Sequence, residues 1–185
     1  MNPDFEKFKT GDTVNIGSHK VEVVKYIAAG GFAQIYTVKF IGFLNELDIL
    51  NANDNDSNDN DNKQKNEPKP LKIGDIACLK RVKVTDDSGL NEMKNEIDVM
   101  KKLSGAPNIV QYYDSNATKL TNGATGYEVF LLMELCPNKS LLDFMNDRLA
   151  TKLSVDEISK IMYDITLGLA QMHYLTKPLI HRDIK

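Results

Sequence analysis

Several large protein classes are set aside by what this 185-residue sequence lacks. No apolar run approaches the ~18 residues that a membrane-spanning helix needs. Basic charge is not in excess: 23 Lys and Arg stand against 26 Asp and Glu, for a net charge of −3 and a pI near 5.6. Nucleic acid and anionic membrane surfaces are therefore not expected partners. There are two cysteines, Cys78 and Cys136, far apart and without zinc-ligand spacing, and a reduced intracellular setting is the simplest reading. The start, Met1-Asn2-Pro3-Asp4-Phe5-Glu6, has neither a basic n-region nor an apolar h-region, so a secretory signal is not read there and a cytoplasmic location is expected. The Asn-x-Ser/Thr triplets at Asn55, Asn116 and Asn138 are then chance matches. No internal repeat occurs. The sequence does have 42% apolar residues, enough for one globular domain with a mobile segment.

Residues 1–18 are polar with little periodicity, and the sequence predicts a tail that becomes ordered near Val14. Two β-rich runs come next, Val21 to Ile27 and Gln34 to Phe40, joined by the small residues Ala28-Ala29-Gly30-Gly31-Phe32-Ala33 in a hairpin. Residues 41–75 read as an insertion. Within it, 51–67 is low-complexity Asn and Asp with no large apolar side chain to offset ordering entropy, which predicts disorder. Asp54, Asp56 and Asn58 match calcium-loop positions 1, 3 and 5, but Asp59 stands where Gly is required and Lys65 where Glu is required. Calcium binding is therefore not expected. A third strand runs from Ile76 to Val84, and a helix from about Gly89 to Leu103 carries Met93, Ile97 and Met100 in one stripe. Ile109 to Asp114 and Tyr127 to Leu135 read as two more strands, with the turn signal Asn122-Gly123 between them. After Pro137, Ser140 with Asp143 opens a short helix. Ser154 with Glu157 forms the capping box of a longer one, whose face is Ile158, Ile161, Met162, Ile165, Leu169 and Met172. The expected class is α+β: a five-stranded antiparallel lobe with one helix (19–135), then the hinge and first helices of a helical lobe (136–185).

Four stretches of this frame carry chemistry. Ile27 to Tyr36 can be laid on the phosphate-cradling pattern G-x-G-x-x-G-x-V, with Ala28, Gly30 and Ala33 at the glycine positions and Ile35 at the valine. Only the middle glycine survives. Glycine serves there because phosphate oxygens must reach backbone N–H groups with no Cβ in the way, and alanine is the smallest departure. Ala77-Cys78-Leu79-Lys80 fits V-A-I-K, and strand alternation places Cys78 and Lys80 on one face. Glu96, on the apolar side of the next helix, needs a partner, and Lys80 is the obvious one. Phe130 to Pro137 reads as a strand entering an adenine-binding hinge, with Met133 as gatekeeper and the backbone of Glu134 and Cys136 pairing with adenine. Finally His181-Arg182-Asp183-Ile184-Lys185 fits H-R-D-L, in which the Asp accepts the proton of an attacking hydroxyl and the Lys lies beside the transferred phosphoryl group. Their order and spacing are those of a protein kinase. The candidate catalytic residues are Lys80, Glu96, Asp183 and Lys185. The candidate ATP contacts are Ile27, Ala28, Gly30, Gly31, Phe32, Ala33, Ile35, Cys78, Lys80, Met133, Glu134 and Cys136.

The stretches Gly30 to Tyr36, Ala77 to Arg81, Glu128 to Glu134 and Leu179 to Lys185 resemble the Numb-associated kinase family, most closely its fungal actin-regulating (Ark/Prk) branch. The resemblance covers about residues 14–185 apart from the 41–75 insertion. Alanine at the first and third loop glycines is itself a mark of that family. The resemblance implies a serine/threonine protein kinase using ATP and Mg²⁺, acting on endocytic and cortical actin-patch proteins at those sites. It assigns no role to the insertion.

The pattern's Mg²⁺-holding Asn and the D-F-G Asp fall beyond Lys185. The 185 residues alone are thus expected to be inactive, with an N-terminal lobe that still folds and a 154–175 helix whose apolar face stays exposed. Two other readings stand beside this one. The first is a non-catalytic short form that binds nucleotide or the partners of such a kinase. The second is a small-molecule kinase sharing the fold. The residues after Lys185 in the full gene product discriminate them.

Overall fold

The computed structural model describes residues 6–31, 33–45, 69–121, 125–138, 140–148, 151–182 and 184. The low-complexity segment 51–67, the Asn122-Gly123 turn, Phe32, Asp183 and Lys185 lie outside the described residues.

The chain builds one antiparallel sheet from β1 (Thr13–Ile16), β2 (His19–Ala29), β3 (Ala33–Phe43), β4 (Ile76–Val84), β5 (Tyr112–Lys119) and β6 (Tyr127–Glu134). The strand order is β1-β2-β3-β4-β6-β5. Helix α1 (Asp87–Leu103) comes after β4, and α2 (Leu141–Asn146) and α3 (Val155–His173) come after the sheet. An antiparallel sheet with one main helix is the α+β arrangement the sequence predicts.

Three details differ from the sequence reading. The sheet has six strands rather than five. Thr13–Ile16 pairs with Ile16↔His19 and Val14↔Val21 in register, and it buries Val14 and Ile16. Two apolar residues in four make too short an alternation to stand out from the polar start. Residues 6–12 are likewise no loose tail: Gly11 N–H donates to Val23 O, and Val23 N–H donates to Asp12 O. The sheet therefore begins before the boundary expected at residue 19. Third, β5 starts at Tyr112, not Ile109, and runs on to Lys119. Asn108 takes a left-handed φ of 59° and Ile109 N–H bonds back to Ala106 O, so the chain is still turning at Ile109. The polar run Asp114 to Lys119 extends because β6 supplies its partners on one side, and an edge strand needs no apolar outer face.

Both faces of the sheet are covered. One packs Val21, Val23, Tyr36, Val38, Phe40, Leu79 and Leu132 with Phe8 from the N-terminal segment. The other packs Val82, Val129 and Leu131 against Leu90, Met93 and Ile97 of α1. Asp86 caps α1, its carboxylate accepting from Gly89 N–H at 2.9 Å. The predicted capping box of Ser154 with Glu157 forms, and Ser140 with Asp143 at the start of α2 closes a second one.

The sheet also curls until its two ends meet. The β1–β2 turn reaches β5, where Asp114 accepts from Ser18 N–H at 2.8 Å and from His19 Nδ1 at 2.7 Å. Gly17 makes this approach possible. Its φ is +56°, and a Cβ there would lie 2.3 Å from the Asp114 carboxylate. The His19 ring is held between Phe40 and Phe43 at 5.2 and 4.9 Å.

Candidate active site

Strand register gathers six of the predicted residues on the α1 side of the sheet. Ala28 lies opposite Ile35, Ile35 opposite Lys80, and Lys80 opposite Leu131. Cys78 lies opposite Met133. Ala33 lies opposite Val82. Ile27 is less regular: a register shift between Tyr26 and Ala28 leaves it at a bulge, exposed.

The Lys80 ammonium meets Glu96 Oε1 at 2.7 Å. The pair forms as the sequence predicts, but not for the burial expected. The Glu96 side chain is 45% exposed and that of Lys80 25%. Helix α1 buries Leu90, Met93 and Ile97, and Glu96 stands at the margin of that stripe. An ion pair this wet contributes only about 0–1 kcal/mol to stability. Its consequence is geometric: the ammonium is held at one end of the cleft between β4 and α1.

Cys78 is buried, and burial is the first cause that pushes its thiol up to about 11. The neighbouring Cys136 adds to the rise and Lys80 opposes it. A thiol in that state stays neutral and acts as an apolar wall rather than a nucleophile. Cys136 is exposed, and its thiol too is raised, by desolvation and then by Glu134. Met133 is half-buried against the α1-side core. Glu134 N–H donates to Gln111 O at 2.8 Å, so pairing of Glu134 with an adenine must use its carbonyl.

At the hairpin tip, Gly30 N–H donates to Ala33 O at 2.8 Å. Neither Gly30 nor Gly31 takes a left-handed φ, and a Cβ on either would meet no atom within 4 Å. The fold itself places no demand for glycine there. Open space above backbone N–H groups is what a bound phosphate would fill, so these residues fit the triphosphate of ATP. A cavity of about 470 Å³ opens nearby between the end of β4 and the start of α1, lined by Val82, Val84, Asp86, Glu92, Met93 and Glu96 among others. It shares only Glu96 with the candidate residues and is not the adenine cleft.

His181 and Arg182 are exposed, and Arg182 has a φ of 64°. The predicted Asp183, Lys185 and Phe32 lie outside the described residues. Among the described residues no three His, Cys, Asp or Glu side chains gather to hold a metal ion.

One residue beside the site carried no sequence signal beyond its position. Gln34, between Ala33 and Ile35, is 7% exposed and turns into the opposite face of the sheet. The only hint was its odd place in an otherwise apolar alternation.

A protein kinase domain model matches residues 69–185. Three proteins of Saccharomyces cerevisiae are similar along essentially the whole chain. Serine/threonine-protein kinase AKL1 is 59% identical over 184 residues, covering 100% of this chain and 15% of its own length. Actin-regulating kinase PRK1 is 39% identical over 183 residues, covering 99% and 19%. Actin-regulating kinase 1 is 41% identical over 185 residues, covering 99% and 25%. The chain thus spans a quarter or less of the length of these relatives.

Proposed function

The chain belongs to the protein kinase domain family, and from that premise we propose that it forms the nucleotide-binding part of a serine/threonine kinase that transfers the γ-phosphoryl group of ATP to protein hydroxyls. The observation that carries this reading is the 2.7 Å contact of Lys80 with Glu96, formed on the sheet face that also gathers Ile35, Cys78 and Met133. A lysine so held presents a fixed positive charge to the α- and β-phosphates. Ile27, Ala28, Gly30, Gly31, Phe32, Ala33 and Ile35 cover the triphosphate. Cys78 and Met133 wall the adenine, and the Glu134 carbonyl and Cys136 backbone pair with its edge. Asp183 accepts the proton as the substrate hydroxyl oxygen bonds to the γ-phosphorus and the bond to the β-phosphate oxygen breaks. Lys185 neutralises charge on the moving phosphoryl group. Mg²⁺, held in the family pattern by the catalytic-loop Asn and the D-F-G Asp, would supply further charge neutralisation when bound.

Two relatives are named as actin-regulating kinases, which supports actin-related protein substrates; we extend this to endocytic and actin-patch proteins as substrates and to a cytoplasmic location at the actin cortex. No described helix is long and apolar enough to cross a membrane.

The test is phosphate transfer from ATP to a serine/threonine peptide array by a complete kinase domain that contains this chain. Incorporation that vanishes with Lys80→Ala is expected, and normal turnover in that variant refutes the assignment. The 185-residue chain assayed alone is expected to transfer no phosphate, and transfer by it would show that residues 1–185 suffice. The non-catalytic reading gains if the complete domain binds ATP and transfers nothing.

A further inference from the structure

We propose that Gln34 and Arg81 are positioning residues for the nucleotide: with Glu128 and the N-terminal segment they form a clamp, on the face of the sheet away from α1, that holds the stem of the glycine-rich hairpin over Lys80. The inference deepens the proposed ATP-binding role and rests on it.

Among the described residues of the hairpin tip, Gly30 N–H donates to Ala33 O, and a Cβ at Gly30 or Gly31 would meet no atom within 4 Å. The described contacts that can set its position lie at the stem. On β3, Ala33 and Ile35 belong to the α1 side, and Gln34 between them points the other way. There its Oε1 accepts from Tyr36 Oη at 2.7 Å and from Arg81 Nη1 at 3.3 Å. Arg81 lies directly opposite Gln34 in the register and next to Lys80 in sequence. Successive strand residues point to opposite faces, so β4 carries the phosphate-binding lysine on one side and the clamp arginine on the other.

Arg81 then ties in two further elements. Its Nε and Nη2 both reach Glu128 Oε1 of β6 at 2.6 Å. Its Nη1 donates to Glu6 O at 2.7 Å, and its guanidinium lies 4.2 Å from the centre of the Phe8 ring. Phe8 N–H donates to Tyr36 Oη at 3.2 Å, and the Phe8 ring packs on Tyr36 and Phe130 at 5.4 and 6.2 Å. β3, β4, β6 and the N-terminal segment are thereby joined by one network of neutral and charge-assisted bonds, running from the buried Tyr36–Gln34 pair through the part-buried Arg81–Glu128 pair to the exposed Glu6 carbonyl. Each of these strands also presents a residue to the candidate ATP cleft: Ile35, Lys80 and Met133. A break in the clamp should loosen the hairpin before it loosens the sheet, because the ladders β3–β4 and β4–β6 remain.

Two variants and one rescue test this. Gln34→Leu removes the acceptor; Phe8→Ala removes the ring that packs on Tyr36 and Phe130 and so loosens the N-terminal segment, leaving the strand ladders in place; Gln34→Glu keeps an acceptor oxygen for both donors. Amide hydrogen exchange on the 185-residue chain is expected to accelerate about tenfold at residues 28–35 in the first two variants, as for the loss of one net hydrogen bond. Amides of β6 and α1 should stay within about twofold, and Gln34→Glu should restore the slow rates. In a complete kinase domain with the same substitutions, KM for ATP is expected to rise about tenfold while kcat stays within about threefold. Uniform acceleration over the sheet would reduce the clamp to a structural contact and overturn the proposal. Unchanged exchange at 28–35 would overturn it as well, and so would faster exchange with an unchanged KM. If the unsubstituted domain transfers no phosphate, the kinase reading fails instead, and the exchange data still decide whether the clamp holds the hairpin.

Discussion

Single residues separate catalysis from stability here. Lys80 and Glu96 form a half-exposed pair, so Glu96→Gln should leave thermal melting within about 1 kcal/mol of the parent. The same change should lower phosphate transfer by a complete domain at least about tenfold, since the ammonium loses its fixed position. Parallel melting curves and steady-state assays check this, and a large loss of stability would show that the pair is structural. Asp114 behaves in the opposite way. Burial alone would raise its pKa, but the hydrogen bond from His19 and those from the Ser18 and Ser115 N–H groups outweigh burial, and its carboxyl is held below the usual range. A carboxyl whose folded pKa lies below its unfolded value contributes stability that is present above the unfolded value, near 4. That stability is lost as pH falls through the lower, folded value. Asp114→Asn should therefore cost about 1–2 kcal/mol at pH 7 and flatten the loss of stability between neutral and acid pH. Urea titrations at several pH values measure both effects, and identical pH slopes in the two proteins would refute the account.

At the scale of elements, α3 is joined to the rest by a close contact at one glycine. A Cβ on Gly168 would lie 2.9 Å from Asn108 O, in the turn between α1 and β5. Asn108 Nδ2 also reaches Asp164 Oδ1 at 3.5 Å. Alanine at 168 improves intrinsic helix propensity by up to about 1 kcal/mol, but overpacking against a backbone carbonyl costs about 1–3 kcal/mol. Gly168→Ala should thus loosen the docking of α3 while leaving its helicity intact. Faster exchange at residues 106–111 with unchanged far-ultraviolet circular dichroism is the expected result. Unaltered exchange there would show that the helix shifts without strain. The helices themselves were readable from sequence because Ser140 and Ser154 are caps whose chemistry is local and because Met93, Ile97 and Met100 repeat at helical spacing, although α1 begins at Asp87 rather than about Gly89. β1 and the true span of β5 were not, because each depends on a partner strand distant in sequence.

For the whole molecule, the two helices after the sheet are incompletely covered. Ile158 is 47% exposed and Met162 56%, and Leu142 and Met145 of α2 are exposed too. Exposed large apolar side chains of this kind favour association in water. Met162→Glu should lower self-association of the 185-residue chain without lowering its melting temperature, as read by sedimentation velocity against concentration. Association unchanged by this substitution would place the sticky surface elsewhere.

The linear order of residues alone determined the candidate Lys80, Glu96, Asp183 and glycine-rich loop, because each lies in a short pattern whose spacing reflects local geometry. It also determined the α+β class, because periods of two and of 3.6 are written locally. Only the tertiary structure decided that Glu96 pairs with Lys80 at a wet margin rather than in a buried one. It alone closed the sheet through Asp114 and His19, 95 residues apart. It alone laid the N-terminal segment over Arg81 and Gln34. Those contacts join residues whose separation along the chain carries no periodic signal, and they form only once the sheet has twisted and curled enough to bring its faces and edges together.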